Sequence, residues 1–262
     1  YSIDLNEKNL DFCINEINGR YPEKGRNVNM SKVVEQIEDT LIKLKELGVL
    51  ETEIVKRYED KILSLKNNEL SYFFAKNIEG ADVKAHGKVI IDSKDLEYNY
   101  YFAVLPGADV KTHEQIIIDS KNLKFNLDFA KNVEGADQKA HGRVIIDSKN
   151  LEYNYIFARD VKGADVKAHG KIILDSKDLK FNFLFARDIG RSDFKAHEKI
   201  ILDSEDLAHN LLFLDLEKSD KNAHKRVINK PEITYDCNFL DNALDEMIKE
   251  NNEENKSMQK RS

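Results

Sequence analysis

Gly80-Ala-Asp-Val-Lys-Ala-His-Gly-Lys-Val-Ile-Ile-Asp-Ser93 decides the fold, because the chain says it again and again. Copies start at Gly107, Gly135 and Gly163, and a looser one at Arg191. Each is followed by a second phrase of the type Asp95-Leu-Glu-Tyr-Asn-Tyr-Tyr-Phe-Ala103. The histidines His86, His113, His141, His169 and His197 step by 27, 28, 28 and 28 residues. A fixed period of that length is the signature of stacked supersecondary units, each touching only its neighbours.

Within one copy, Val83, Ala85, His86, Val89 and Ile90 cover one side of a helix. Asp82 precedes them as an N-cap whose carboxylate accepts from orphan N–H groups, with Asp109, Asp137, Asp165 and Asp193 at the same place in other copies. That helix is expected to end near Asp92-Ser93. A second cap, Asp95 (Asn122, Asn150, Asp178, Asp206), opens a helix carrying Leu96, Tyr98, Tyr100, Phe102 and Ala103. Gly80-type glycines are expected to close it in the left-handed conformation. The unit is thus two helices of about ten residues, too short to be stable without stacking. The β-branched runs at Val89 and Ile116 argue for strands, but caps, closing glycines and helical spacing all agree on helices.

The fold class expected is all-α: an elongated, curved α-solenoid of tandem two-helix repeats with a period of about 28 residues. Residues 51–240 form the array, with divergent copies at both ends. In the first of these Tyr58 stands for the histidine, and Asp220-Lys-Asn-Ala-His224 opens the last. Pro231-Glu-Ile-Thr-Tyr-Asp-Cys-Asn-Phe239 reads as a degenerate second phrase. Residues 1–50 read as an N-terminal helical cap, with helices over 4–17 and 31–47, and residues 241–262 as a helix end and polar tail. The architecture resembles the broad class of helical-repeat proteins that includes the tetratricopeptide and HEAT arrays. Its period is shorter and their signature residues are missing, so the resemblance carries over no functional residue.

A net charge of −7 argues against a generic binder of nucleic acid or anionic membranes. No run of about 18 apolar residues is present, and no secretory signal is visible. Cys13 and Cys237, at opposite ends, make no disulfide framework. A reducing cytoplasm is the simplest location, and the abundance of Lys, Asn, Ile and Glu fits a low-GC bacterium or phage.

A histidine in every repeat raises the question of a metal. Packed neighbouring helices lie roughly 8–10 Å apart, too far for two such histidines to share an ion at bonds of about 2 Å. The expected role is a packed imidazole bonded to a neighbour. Asn99, Asn126, Asn154, Asn182 and Asn210 lie inside the second helices, where propensity disfavours them. An asparagine ladder, or a bond to the adjoining turn, would compensate.

The candidate binding face is a row on the first helices: Lys84, Lys88, Lys111, Gln115, Lys139, Arg143, Lys167, Lys171, Lys195 and Lys199. Stacked at repeat spacing, its nine cations could follow an acidic partner or a phosphate backbone. Acids four residues downstream, such as Asp92, Asp147 and Asp175, would neutralise part of it. Positions that differ between copies are further contact candidates: Val104-Leu-Pro106, Gln115, Asp128 and Gly190-Arg-Ser192. There is no Gly-rich phosphate loop, nucleophile elbow or metal-spaced Cys/His cluster. The function expected is therefore a non-enzymatic scaffold or inhibitor that binds a protein partner and needs no cofactor or membrane. Nucleic-acid binding along the cationic row, or acidic mimicry of nucleic acid, are the alternatives. The partner's identity and the oligomeric state are not encoded in any motif.

Overall fold

The structure, a computed structural model, describes residues 39–43, 45–46 and 52–230. All its regular elements are helices. The array runs through α1 (Thr52–Leu65), α2 (Asn68–Asn77), α3 (Val83–Ser93), α4 (Leu96–Ala103), α5 (Val110–Ser120), α6 (Leu123–Asn132) and α7 (Gln138–Ser148). It continues through α8 (Leu151–Asp160), α9 (Val166–Ser176), α10 (Leu179–Asp188), α11 (Phe194–Ser204), α12 (Leu207–Leu214) and α13 (Lys221–Ile228). Each repeat is thus a pair such as α3–α4, as the two phrases require. Residues 39–43 and 45–46 are helical too, inside the stretch expected to be the second N-terminal helix. The expectations for 4–17, for Pro231-Glu-Ile-Thr-Tyr-Asp-Cys-Asn-Phe239, for the 241–262 tail and for both cysteines fall outside the described residues.

Caps set the frame as the sequence predicts. Asp82 Oδ1 accepts from Ala85 N at 3.0 Å, and Asp95 Oδ1 from Tyr98 N at 3.1 Å. The same bonds recur at Asp165, Asp178, Asp193 and Asp206. The serine of each Asp-Ser end ties the two helices together: Ser93 Oγ donates to Ile90 O at 2.7 Å and accepts from Asp95 N at 3.1 Å.

The turns correct one expectation. Gly80, Gly107 and Gly135 do take positive φ, but beyond the helix cap; Ile78 and Val133, the caps themselves, are extended. The left-handed helix end belongs to the other turn and is held by residues with side chains. Lys66, Lys94, Lys121, Lys149, Lys177 and Glu205 all have φ between 50° and 56°. An L-residue pays about 1–2 kcal/mol there. The serine bridge and the cap on either side over-determine the turn and hold it.

The chain divides into two compact units, Tyr1–Val144 and Ile145–Ser262, with the boundary inside α7. In each unit a first helix packs on the next first helix, a second on the next second, and a second on the following first. The core repeats with the sequence. One phenylalanine per repeat (Phe74, Phe102 and Phe129 in the first unit; Phe157, Phe185 and Phe213 in the second) is fully buried. So is one isoleucine (Ile90 and Ile117; Ile145, Ile173 and Ile201). Burying a side chain of that size contributes roughly 1.5–3 kcal/mol, so the array is held by a row of equivalent plugs. In the first copy Ile62 fills the isoleucine site, and Tyr58, also fully buried, fills that of the histidine.

Lys177→Gly should relieve the left-handed strain without touching a contact. A stabilisation of roughly 0.5–1 kcal/mol is expected, read as a higher urea midpoint at constant m-value. An unchanged or lower midpoint would show the lysine to be unstrained.

Candidate functional site

The most chemically organised part of the molecule is buried between repeats. Each second-helix asparagine bridges three groups. Asn126 Nδ2 donates to Ile117 O at 2.9 Å and to Asn122 O at 2.8 Å. Its Oδ1 lies 2.8 Å from Nδ1 of His141 in the next repeat. In the first unit Asn99 and His113 form the same rung at 2.7 Å. In the second unit the rungs are Asn154–His169 and Asn182–His197 at 2.8 Å and Asn210–His224 at 2.7 Å. All these side chains are fully buried. Both donors of each amide are spent on carbonyls, so Oδ1 must face the imidazole, and the imidazole must carry its proton on Nδ1. Each ring also lies against a core phenylalanine, as in Phe157–His169 with centroids 4.9 Å apart.

The opposite nitrogen, Nε2, meets one of two environments, set by the residue after the previous repeat's histidine or its Tyr58 equivalent. Where that residue is glutamate, its carboxylate reaches forward. Glu59 Oε1 accepts from Asp82 N at 2.5 Å and lies 3.4 Å from His86 Nε2. Glu114 Oε1 accepts from Asp137 N at 2.6 Å and lies 3.2 Å from His141 Nε2. Glu198 repeats this with Asp220 N at 2.5 Å and His224 Nε2 at 3.4 Å. Of these three only His141 Nε2 is hydrogen-bonded; Nε2 of His86 and of His224 makes no hydrogen bond, and neither does Nε2 where the residue is glycine. His113 Nε2 faces Gly87 and His197 Nε2 faces Gly170, both unsatisfied and buried. A glycine in mid-helix costs roughly 0.5–1 kcal/mol against alanine. The reason it stands here is space: a Cβ on Gly87 would lie 3.0 Å from Phe102, and one on Gly170 3.1 Å from Phe185.

Burial holds these imidazoles neutral. Desolvation lowers His86, His113, His169 and His197 to about 4, against a smaller upward pull from the cap aspartate beside each. His141 and His224 are also lowered, with Glu114 and Glu198 opposing the desolvation. Glu59 is raised by its own burial. At His141, where Asn126 fixes the proton on Nδ1, a hydrogen bond between Nε2 and the Glu114 carboxylate needs one shared proton.

The candidate row from the sequence is exposed at every position: Lys84, Lys88, Lys111, Gln115, Lys139, Arg143, Lys167, Lys171, Lys195 and Lys199. Part of it is neutralised locally. Lys171 lies 3.1 Å from Asp175, Lys199 2.8 Å from Asp203, and Lys195 2.7 Å from Glu198. Gln115 donates to Asp119 at 2.8 Å. Of the positions that vary between copies, Val104 is 52 % exposed and borders a surface the sequence did not single out. There Tyr72, Tyr98 and Tyr101 pack with centroids 5.9–6.4 Å apart, and Tyr101 is 39 % exposed. Among the described residues no group of three His, Cys, Asp or Glu could hold a metal ion. Among them, too, no helix is long and apolar enough to cross a membrane.

The glutamate–glycine switch was visible as His-Glu against His-Gly dipeptides, but its meaning depends on which atoms the next repeat brings to it. The tyrosine cluster spans two repeats and has no linear signature.

The first rung is broken. Ser71 replaces the asparagine, and Ser71 Oγ and His86 Nδ1 are both buried without partners. Ser71→Asn should restore the bridge to Ile62 O, Asn67 O and His86 and stabilise the first unit by about 1–3 kcal/mol. A lower thermal midpoint would show that the site cannot accept the amide. Acid should dissolve the array cooperatively. The histidines fold neutral, so the unfolded chain binds more protons between about pH 6.5 and 4, and stability falls with pH across that window. Each of the four with a value near 4 contributes up to ~1.4 kcal/mol per pH unit; the raised Glu59 acts in the opposite sense at the lower end. Urea midpoints that stay flat from pH 7 to 4.5 would disprove it.

The chain matches no protein-family model, no curated protein and no solved structure.

Proposed function

We propose that this protein is a non-enzymatic scaffold that presents exposed positions of a helical-repeat array to a protein partner. The supporting observation is a division of labour. Asparagine and histidine of the rungs and phenylalanine and isoleucine of the core, which recur through the central copies, are consumed inside, whereas the recurring Lys84, Lys111, Lys139, Lys167 and Lys195 are exposed. Among the outward positions that differ between copies, those of the first unit gather at the Tyr72–Tyr98–Tyr101 cluster beside the Val104 turn. Tyrosine supplies large contact area at low entropic cost and is enriched at the centres of protein interfaces. The Tyr101 hydroxyl, bonded to Glu97 at 2.9 Å, gives the patch a polar edge.

Nucleic-acid binding along the cationic row is the competing reading. The carboxylates paired with Lys171, Lys195 and Lys199 weigh against it, because they would have to be displaced by phosphate.

One experiment separates the two: capture from a low-GC bacterial lysate, with and without nuclease, using the native chain, a Tyr72→Ala/Tyr101→Ala variant and a Lys84→Glu/Lys167→Glu variant. The expected result is a nuclease-resistant protein held by the native chain and the lysine variant. Its recovery should drop at least tenfold with the tyrosine variant, as for loss of a contact worth about 2 kcal/mol. Nucleic acid retained by the native chain and lost with the lysine variant would replace the proposal with its competitor.

A further inference from the structure

In three repeats a glutamate side chain fills an internal carboxylate site, and the Gly87 and Gly170 copies lack the piece that fills it. In the glutamate copies a carboxylate accepts from the backbone N–H of the next cap residue and lies 3.2–3.4 Å from the next histidine's Nε2, hydrogen-bonded to it at His141. In the second unit Gly170 holds the corresponding position and brings no carboxylate. The atoms that would receive one are still there: the Asp193 N–H, one residue before the eleven-residue helix α11, and Nε2 of His197. His197 is fully buried, and its Nε2 has no partner, 3.7 Å from where a Gly170 Cβ would stand. A cleft of about 650 Å³ opens at this point, lined by Gly170, Phe185, Asp193 and His197 among others. The edge of Phe185 explains why the residue is glycine. It leaves the imidazole unanswered.

We propose that the cleft beside Gly170 binds a carboxylate, held between the Asp193 N–H and the His197 imidazole where sister repeats place a glutamate side chain. This goes beyond the protein-binding reading and does not depend on it; the two sites lie in different units.

The surroundings suit an anion of this size. Lys167 and Lys171 of α9 and Arg191 of the turn before α11 line the cleft. Asp165 and Asp193 line it too and oppose them, so attraction at long range is weak and the two specific contacts decide. The Asn182 rung fixes the proton of His197 on Nδ1. A carboxylate can therefore bond to Nε2 only if one proton enters with it, coming from solvent and resting between Nε2 and the ligand oxygen. Of the groups facing the cleft, histidine alone ordinarily changes charge between pH 5 and 8. Burial has moved His197 to about 4 in the empty site, so throughout that window the uptake belongs to the complex.

The test follows the imidazole nitrogens of the full chain, labelled with ¹⁵N-histidine, while acetate, the peptide Ac-Ala-Glu-Ala-NH₂ or neutral acetamide is added. His197 Nε2 is expected to move from the unprotonated towards the protonated range with acetate and with the peptide. Their half-saturation should be about 100-fold lower at pH 5.5 than at pH 7.5, the factor for one proton taken up over two pH units. His141 and His224, whose sites glutamate already fills, should not respond. Saturation by the peptide at lower concentration than acetate would assign the site to acidic side chains, and equal saturation to free acids. Gly170→Glu, which supplies its own carboxylate, should abolish the response. Should the crowding against Phe185 unfold that variant, the native chain decides alone. A His197 signal unmoved by both carboxylates, a response to acetamide equal to that to acetate, or equal movement of His141 and His224 would each overturn the proposal.

Discussion

Everything in this array hangs on the orientation of one amide. An asparagine inside a short helix would ordinarily compete with the helix for its backbone bonds. Here it spends its two donors on carbonyls, one at the N-cap of its own helix and one near the end of the first helix. Only the oxygen remains for the next repeat. That asymmetry removes the choice between amide flips, selects one imidazole tautomer, and locks the two helices of a repeat before the next is added. A polar network in a dry interface is costly unless every member is satisfied, and it then specifies one register among many. The phenylalanine against each ring supplies hydrophobic free energy, but a row of identical phenylalanines would pack nearly as well after a slip. The rung would not.

The same logic explains why the repeats are not identical at the residue after histidine. Glutamate there caps the next helix through its N-terminal residue and meets Nε2, at the expense of a partly desolvated carboxylate. Glycine lets the next phenylalanine approach by a few tenths of an ångström, at the expense of helix propensity and an orphaned nitrogen. An unsatisfied buried acceptor costs about 1–3 kcal/mol, comparable to what tight packing of an aromatic edge returns. The two solutions are close in free energy, and both persist in one chain, with Gly87 and Glu114 on successive first helices.

How much of this could be read from the sequence follows from how local each feature is. Helix identity and ends were legible, because Asp82 and Asp95 act within three residues of themselves. The histidine and asparagine rows were legible as a pairing problem, since a repeated polar residue on an apolar face must find a repeated partner. Their register, 14 or 15 residues from asparagine to histidine, was not, because it depends on how the turn folds back. The left-handed lysines were missed for the converse reason: Lys94 has no propensity for positive φ, and only the Ser93 bridge and the Asp95 cap place it there. The cationic positions are all exposed, as helical spacing implied. Their partial neutralisation was also foreseen, at Asp175, from spacing alone.

The broken first rung sharpens the account of what terminates such an array. Tyr58 replaces histidine at the first position, and Ser71 replaces asparagine in the same copy, so that copy neither receives a rung nor offers one. It still donates a carboxylate through Glu59 to the next repeat. The first copy therefore supports its successor without a rung, while Lys45 of the preceding helical stretch donates to Asn77 O at 2.7 Å. The copy keeps the forward-reaching glutamate and the buried Phe74, and it dispenses with the polar bridge. With Tyr58 and Ser71 at these positions, the asparagine–histidine rungs among the described residues run from Asn99–His113 to Asn210–His224.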